Sequence, residues 1–308
     1  MKKVLAIVGP TAVGKTSLSI HLAKQFPIEI ISGDSMQVYK GMDIGTGKVT
    51  AEEMGDIPHY MLDIKEPQES FSVAEFKQEV QDHIKNISNR EKLPLIVGGT
   101  GLYIQSVLYD YDFTERKRDV ELTNRFESFV HQYGVMPLYE KLQEIDPEQA
   151  DKIHPNNYRR VIRALEIYET TGLTMSDYHA SQAREAIYDY LIIGLEMERQ
   201  LLYENISKRV DEMVTYGLIE EVKLLYEAGL ENSQAMKAIG YKELLPYLKG
   251  EASLEESIQL LKRNSRRYAK RQFTWFKNKM NVEWFDVTSE HKHTFHRIEE
   301  RVARFISS

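Results

Sequence analysis

The chain contains no cysteine among its 308 residues. Disulfide bonds, thiol catalysis and cysteine-ligated zinc are therefore excluded, and a reducing compartment is favoured. Hydrophobic runs are also short, since none approaches the roughly 18 apolar residues that a membrane-spanning helix requires. We accordingly expect a cytoplasmic protein without a membrane segment.

Positive charge is in the minority, because 40 lysines and arginines stand against 47 acidic residues and the formal net charge is −7. For the molecule as a whole, such a balance argues against a nucleic-acid partner, but a local basic surface can override it. Hydrophobic residues make up 42% of the chain, which is enough for a sizeable core. The length suggests about two domains.

Short apolar runs bounded by glycine or proline alternate with helical patterns along much of the chain. They predict buried parallel strands at Val4–Val8, Ile28–Ser32, Leu93–Val97 and Tyr190–Met197. We therefore predict an α/β fold, a P-loop NTPase-like parallel sheet flanked by helices, formed by residues 1–113 and 187–308. Residues 114–186 show only helical spacing and predict an all-helical insertion domain. The histidine-rich stretch His291–His296 is predicted to be a solvated connector.

The segment Gly9-Pro10-Thr11-Ala12-Val13-Gly14-Lys15-Thr16 matches the Walker A pattern between a predicted strand and a predicted helix. Backbone N–H groups of such a loop point into one concavity, and the helix N-terminus adds partial positive charge. We expect Lys15 to contact two phosphates and the Thr16 hydroxyl to bind Mg²⁺. The loop predicts a diphosphate or triphosphate site but leaves the reaction open, since hydrolysis, transfer and expulsion all use such a site.

One carboxylate, Asp34, follows the second predicted strand at the edge where open α/β sheets bind ligands. The next strand ends in Gly98-Gly99-Thr100, without the acid that NTPases usually place there to hold Mg²⁺ through water. Asp34 is thus a candidate functional carboxylate. The alternative is that it only caps a turn or a helix.

A local excess of positive charge occupies residues 257–281, where eight lysines and arginines occur without an acid. Aromatic residues interleave with these cations. A second basic group lies in the predicted insertion, and the two groups together predict contact with a phosphate backbone. The alternative is a solvated helix face. The candidate contacts are Arg263, Arg267 and Lys270 in the first group and Arg159, Arg160 and Arg163 in the second.

These motifs resemble those of the bacterial tRNA dimethylallyltransferases, also called tRNA isopentenyltransferases or the IPP transferase family. The resemblance rests on segments in family order over residues 4–286: GPTAVGKT, ISGDSMQVYKGMDIGTGK, IPHYMLDI, LIVGGTGLYI, IHPNNYRRVIRALEIY, AIGYKEL and RRYAKRQFTWF. Gly47, Tyr60 and Asn157 depart from the usual pattern, and we expect none of them to touch the chemistry. The absence of cysteine excludes the zinc-finger relatives of plants and fungi.

The resemblance implies that dimethylallyl diphosphate binds the glycine-rich loop. Its prenyl group would pass to the exocyclic amine of the adenosine immediately 3′ of the anticodon in tRNA, releasing diphosphate. By resemblance, Asp34 would accept the amine proton, Thr100 would hydrogen-bond nearby, and Arg209 would stabilise the leaving diphosphate together with Mg²⁺. We expect a monomer that binds the tRNA anticodon stem-loop. The predicted contacts at the adenosine are Asp34, Ser35, Met36, Gln37 and Thr100.

Three other functions would use parts of the same pattern. A small-molecule or nucleotide kinase also pairs a glycine-rich loop with an acid after the second strand, but it would consume ATP. An enzyme that prenylates free adenine nucleotides would need no basic insertion. A nucleotide-gated RNA-binding regulator would need no catalytic acid. Phosphate transfer from ATP would favour the kinase, and diphosphate release from an allylic donor would favour prenylation.

Overall fold

A computed structural model describes residues 1–109, 111, 119–181, 185–289 and 291–308. Its contacts divide the chain into two compact units, one formed by Met1–Tyr109 with Ala186–Ser308 and the other by Asp110–Glu185. The predicted boundary between residues 113 and 114 lies outside the described residues. Within those residues, every helix is too short or too polar to traverse a lipid bilayer.

The first unit is built on a parallel sheet. Its strands are β1 (Lys3–Val8), β2 (Ile28–Ser32), β3 (His59–Tyr60), β4 (Leu93–Gly98), β5 (Asp189–Glu196) and β6 (Glu283–Asp286). They run parallel in the order β3-β2-β4-β1-β5-β6, with Ala6 of β1 opposite Ile96 of β4 and Ile192 of β5. The predicted α/β fold with a P-loop NTPase-like parallel sheet is confirmed. The loops after β1, β2 and β4 consequently open at the same edge of the sheet.

Both faces of the central strand β1 are buried. Val4, Ala6 and Val8 belong to the hydrophobic cluster on one side of the sheet, and Leu5 and Ile7 belong to the cluster on the other. Because helices cover both faces, the strand reads as a continuous apolar run rather than as an alternation.

Helices occur in both units. In chain order they are α1 (Lys15–Gln25), α2 (Ala51–Met54), α3 (Val73–Asn89), α4 (Gly101–Leu108), α5 (Val120–Tyr133), α6 (Met136–Ile145), α7 (Pro147–Lys152), α8 (Tyr158–Thr171), α9 (Met175–Ser181), α10 (Arg199–Thr215), α11 (Leu218–Glu227), α12 (Leu245–Leu248), α13 (Leu254–Lys279) and α14 (His291–Ser307). Capping boxes stabilise the starts of α2, α3 and α13, where the hydroxyls of Thr50, Ser72 and Ser253 accept from the N–H groups of Glu53, Glu75 and Glu256.

The prediction that His291–His296 is a connector is wrong, because α14 begins in this stretch. The Thr294 hydroxyl is mostly buried and donates to the Asp286 carbonyl at the end of β6, 3.1 Å away. Ile298 and Val302 continue the buried stripe of the helix into the core beside the sheet. Tertiary packing therefore sets the start of this helix.

The second unit consists of α5 to α9 over its described residues and has its own hydrophobic core. Leu142, Val161 and Leu165 are almost fully buried in this core. Gly172 ends α8 in the left-handed conformation, with φ 74°. The all-helical character that the sequence predicts for this part of the chain is confirmed for the described residues.

Candidate active site

The glycine-rich loop, residues 9–16, joins β1 to α1 at the carboxyl edge of the sheet. Gly9 has φ 143° and Gly14 has φ 98°, both in a region that L side chains rarely adopt. A Cβ atom at Gly9 would also lie 2.6 Å from the carbonyl oxygen of Leu195 in β5. The two glycines are therefore needed for the tight path of the loop beside the neighbouring strand.

Lys15 stands in the first turn of α1 and lies over the loop. Its Nζ atom donates to the carbonyl oxygens of Gly9 at 3.0 Å and Pro10 at 2.7 Å. Burial, with Coulomb repulsion from Arg209, lowers the pKa of Lys15 to about 7 against the opposing effect of Asp34. These three ionisable side chains thus share one electrostatic environment.

Asp34 follows β2 and is the first residue of a turn. Its Oδ1 atom accepts from the backbone N–H of Met36 at 2.8 Å, which fixes the orientation of the carboxylate. Burial raises the pKa of Asp34, while the N–H of Met36 and the charges of Lys15 and Arg209 oppose the rise. The carboxylate therefore lies in the same electrostatic environment as the lysine of the glycine-rich loop.

Thr100 is the N-cap residue of α4 and contacts the turn that carries Asp34. Its Oγ1 atom accepts from the backbone N–H of Ser35 at 3.2 Å. Tyr268 of α13 interacts with the Thr100 side chain. Burial, with a smaller effect of the Asp34 charge, raises the pKa of Tyr268 to about 12, so the phenol is neutral at physiological pH. The sequence pattern did not predict a role in the site for Tyr268, although this residue lies in the basic segment 257–281.

Gln272, also on α13, is a second site residue that the sequence pattern did not predict. Its Oε1 atom accepts from the backbone N–H of Thr11 at 2.9 Å, and its amide group lies directly against Gly99. This one side chain therefore ties the glycine-rich loop to the turn after β4. A signal was present in the sequence, because Gln272 stands on the same buried stripe as Ala269 and Phe276.

Arg209 reaches this site from α10, whose Leu202, Ile206 and Val210 face the core. Burial lowers the pKa of the guanidinium, and the Asp34 charge gives the largest opposing effect. The guanidinium lies so close to Gly47 that a methyl group at position 47 would overlap it. Position 47 thus contacts one candidate site residue, and its relation to the chemistry stays a prediction.

Gln37 connects the Asp34 turn to the segment that carries Gly47. Its Oε1 atom accepts from the Ser32 hydroxyl at 2.8 Å, and its Nε2 atom donates to the carbonyl oxygens of Thr46 and Gly47, each at 3.3 Å. The amide thus fixes the backbone around the arginine. Its contact with an adenosine stays a prediction, as do those of Ser35 and Met36.

The basic residues predicted to contact nucleic acid are exposed on their helices. Arg263, Arg267 and Lys270 lie on α13, and Arg159, Arg160 and Arg163 lie on α8. Within the described part of the chain, Arg263, Arg267 and Lys270 form no ion pair. Arg163 pairs with buried Glu166 at 3.3 Å. All six contacts with nucleic acid stay predictions.

The site also contains a candidate ligand for a divalent cation. Thr16 is exposed in the first turn of α1, next to Lys15. Among the residues that the structure describes, no three histidine, aspartate or glutamate side chains are arranged to hold a metal ion. A threonine hydroxyl beside a glycine-rich loop fits Mg²⁺, which keeps several waters and is commonly bound by one or two protein groups together with substrate phosphates.

The chain is similar to several known proteins. The family model for IPP transferase matches residues 37–279. A tRNA dimethylallyltransferase of Bacillus pumilus is 60% identical over 285 residues, which are 92% of this chain and 90% of the relative. The crystal structure of a full-length tRNA isopentenylpyrophosphate transferase from Bacillus halodurans is 51% identical with a TM-score of 0.77, covering 100% of this chain and 97% of that one.

A more distant solved structure is that of a eukaryotic dimethylallyltransferase acting on tRNA. It is 34% identical with a TM-score of 0.83, and the match covers 98% of this chain and 78% of that chain. The family match extends over well more than half of the sequence. It includes Gln37, Thr100, Arg209 and Gln272. The chain therefore belongs to the IPP transferase family.

Proposed function

We propose that this protein transfers a dimethylallyl group from dimethylallyl diphosphate to the exocyclic amine of the adenosine immediately 3′ of the anticodon in tRNA. The observation that carries the proposal is the position of Asp34 at the same edge of the sheet as the glycine-rich loop, where the charges of Lys15 and Arg209 act on its carboxylate. The two cations suit a leaving diphosphate, and the carboxylate suits an incoming amine.

The amine is a weak nucleophile because its lone pair is delocalised into the adenine ring. As the new C–N bond forms at the allylic carbon, the C–O bond to diphosphate breaks and the amine proton passes to the Asp34 carboxylate. A positioned base of this kind contributes about 10²–10⁴-fold to the rate. The hydrogen bond from the Met36 N–H to Oδ1 fixes the orientation of the carboxylate for this role.

The leaving diphosphate gains negative charge as the C–O bond breaks. Fixed cations that face this charge stabilise the transition state more than the ground state. In the proposal, Lys15 and Arg209 are these cations. Backbone N–H groups of residues 9–16 donate further hydrogen bonds to the diphosphate. The Thr16 hydroxyl would bind Mg²⁺, which would neutralise part of the diphosphate charge. Transfer in place of hydrolysis accords with the Gly98-Gly99-Thr100 turn, which has no acid to organise a water.

The exposed arginines and lysine of α8 and α13 would bind the phosphates of the anticodon stem-loop. The target base must leave the stacked loop to reach Asp34, and unstacking costs a few kcal/mol. Contacts with neighbouring phosphates and bases offset that cost. We further propose that the protein acts as a monomer in the cytoplasm, where tRNA is modified.

A direct experiment is to incubate the protein with Mg²⁺, dimethylallyl diphosphate labelled in the prenyl group, and an unmodified tRNA transcript that has adenosine 3′ of the anticodon. The proposal expects label at that nucleotide and one diphosphate released per label. A transcript with guanosine at the same position is the matched control. Phosphate transfer from ATP, without label in the RNA, would instead identify a kinase.

A further inference from the structure

Glu221 of α11 has no part in the proposed chemistry, yet it binds the backbone of a segment that leads into the site. Its Oε2 atom accepts from the N–H groups of Asp43 and Ile44, both at 2.8 Å, and its Oε1 atom accepts from the N–H of Gly45 at 2.9 Å. One carboxylate thus binds three consecutive backbone donors. We call the segment of residues 43–47 the arginine loop, because it ends at the contact with Arg209.

A second side chain fixes the same carboxylate. The Tyr241 hydroxyl donates to Oε1 of Glu221 at 2.5 Å, and Tyr241 is fully buried. A Cβ atom on Gly45 would lie 2.5 Å from the Tyr241 ring, so the ring packs directly on the arginine loop. The carboxylate and the ring together fix the loop from one side.

The far end of the arginine loop contacts the site. The N–H of Gly47 donates to the Ile44 carbonyl at 3.0 Å, so the turn that begins at the Glu221 contact ends at Gly47. The guanidinium of Arg209 lies directly against Gly47, and the Gln37 amide binds the Gly47 carbonyl. Hydrogen bonds therefore connect Glu221 to the turn that ends at Gly47, and a direct contact connects Gly47 to the arginine.

We propose that Glu221 is a positioning residue for the transfer reaction. By holding the arginine loop it places the guanidinium of Arg209 where the leaving diphosphate gains charge. The inference rests on the proposed function for its chemistry, but its structural part concerns only Arg209 and the binding of a diphosphate anion.

Glu221→Gln tests the inference, since an amide nitrogen cannot accept the backbone N–H bonds that one carboxylate oxygen accepts. We expect kcat for prenyl transfer and the affinity for inorganic diphosphate to fall by about tenfold, the effect of one or two lost hydrogen bonds to a charged group. The matched control is Glu220→Gln, because Glu220 is exposed on the same helix and forms no hydrogen bond with the arginine loop. The control should retain both values within twofold.

A double-mutant cycle with Arg209→Gln separates positioning from general stability. If Glu221 acts through Arg209, then Glu221→Gln in the Arg209→Gln protein will lower kcat and diphosphate affinity by less than twofold further. Multiplicative losses in both quantities would overturn the inference, and so would a Glu221→Gln protein that loses only thermal stability. Should Glu221→Gln fail to fold, Tyr241→Phe keeps the ring and removes one bond to Glu221, and the same coupling to Arg209 is expected with a smaller loss.

The two proposals fail in different ways. Coupling in diphosphate binding without any prenyl transfer to RNA would refute the proposed function and leave the positioning role intact. Prenyl transfer to RNA without coupling between Glu221 and Arg209 would support the proposed function and refute the positioning role. If the unsubstituted protein binds no diphosphate, both proposals are refuted.

Discussion

At the scale of single residues, the unusual property of the site is the low pKa of Lys15. The residue is neutral in a growing fraction of free protein as pH rises through about 7. We expect kcat/KM for dimethylallyl diphosphate to fall about tenfold per pH unit above that value, because kcat/KM reports the free enzyme. Bound diphosphate adds negative charge beside the ammonium and raises the pKa of Lys15 in the complex. The alkaline decrease in kcat should therefore occur at higher pH than the decrease in kcat/KM.

Rates measured between pH 5.5 and 9 with saturating RNA would test this expectation. Lys15→Arg is the control, since a guanidinium stays charged and should remove the alkaline limb even if the maximum rate is lower. At the acid end, the rate should fall as pH decreases through the raised pKa of Asp34, because the protonated carboxyl cannot accept a proton. A flat alkaline profile in the unsubstituted protein would contradict our assignment of Lys15.

Gly47 gives a second test at this scale. Alanine at this position would adopt φ near 58° and would also displace the Arg209 guanidinium. We expect Gly47→Ala to lower the free energy of unfolding by about 1–2 kcal/mol and, in addition, to lower kcat. Gly41→Ala is the matched control, because Gly41 has φ 67° with nothing near its missing Cβ atom. Equal kcat values for the two variants, measured alongside denaturant unfolding, would argue against the contact with Arg209.

At the scale of elements, α13 combines two roles on opposite faces. Its buried face brings Tyr268 and Gln272 to the site, and its exposed face carries Arg263, Arg267 and Lys270. The basic pattern alone predicts only the exposed role. Because Tyr268 and Gln272 bind groups from distant segments, Thr100 and Thr11, the local sequence gives little indication of the buried role.

Charge reversal tests the exposed face. We expect Arg267→Glu, and separately Arg160→Glu on α8, to weaken tRNA binding and to reduce the slope of log affinity against log salt concentration by about 1. Lys24→Glu is a suitable control, since Lys24 is exposed at the end of α1 that lies away from the glycine-rich loop. Binding titrations at several salt concentrations give the slopes. Unchanged slopes in both variants would remove these arginines from the interface.

At the scale of the whole molecule, the fold could be predicted from the sequence because each buried strand is a bounded apolar run. The two-residue strand β3 could not, since it is too short to show a pattern. The loops at the carboxyl edge were predictable for a similar reason, because parallel strands bring the residues after β1, β2 and β4 together. The Glu221 contact was not predictable, as a single carboxylate joins segments almost 180 residues apart, from Asp43 to Glu221.

The distribution of charge at this scale also explains how an acidic protein can act on RNA. The net charge of −7 describes the whole chain, whereas the eight cations of residues 257–281 lie on one helix and its end. A local cationic surface attracts phosphates within about one Debye length, roughly 8 Å at physiological salt, where distant acids are screened. Local charge density is therefore the relevant quantity for the proposed RNA contact.

The central claim is that the glycine-rich loop binds a departing diphosphate while Asp34 accepts the proton of the incoming amine. The most direct test is the single-turnover rate of prenyl transfer by Asp34→Asn, measured together with its affinity for inorganic diphosphate. Asparagine can still accept the Met36 N–H bond but cannot take the proton. Our account predicts a rate lower by about 10²–10⁴-fold with diphosphate affinity unchanged or tighter. A transfer rate within threefold of the unsubstituted protein would contradict it.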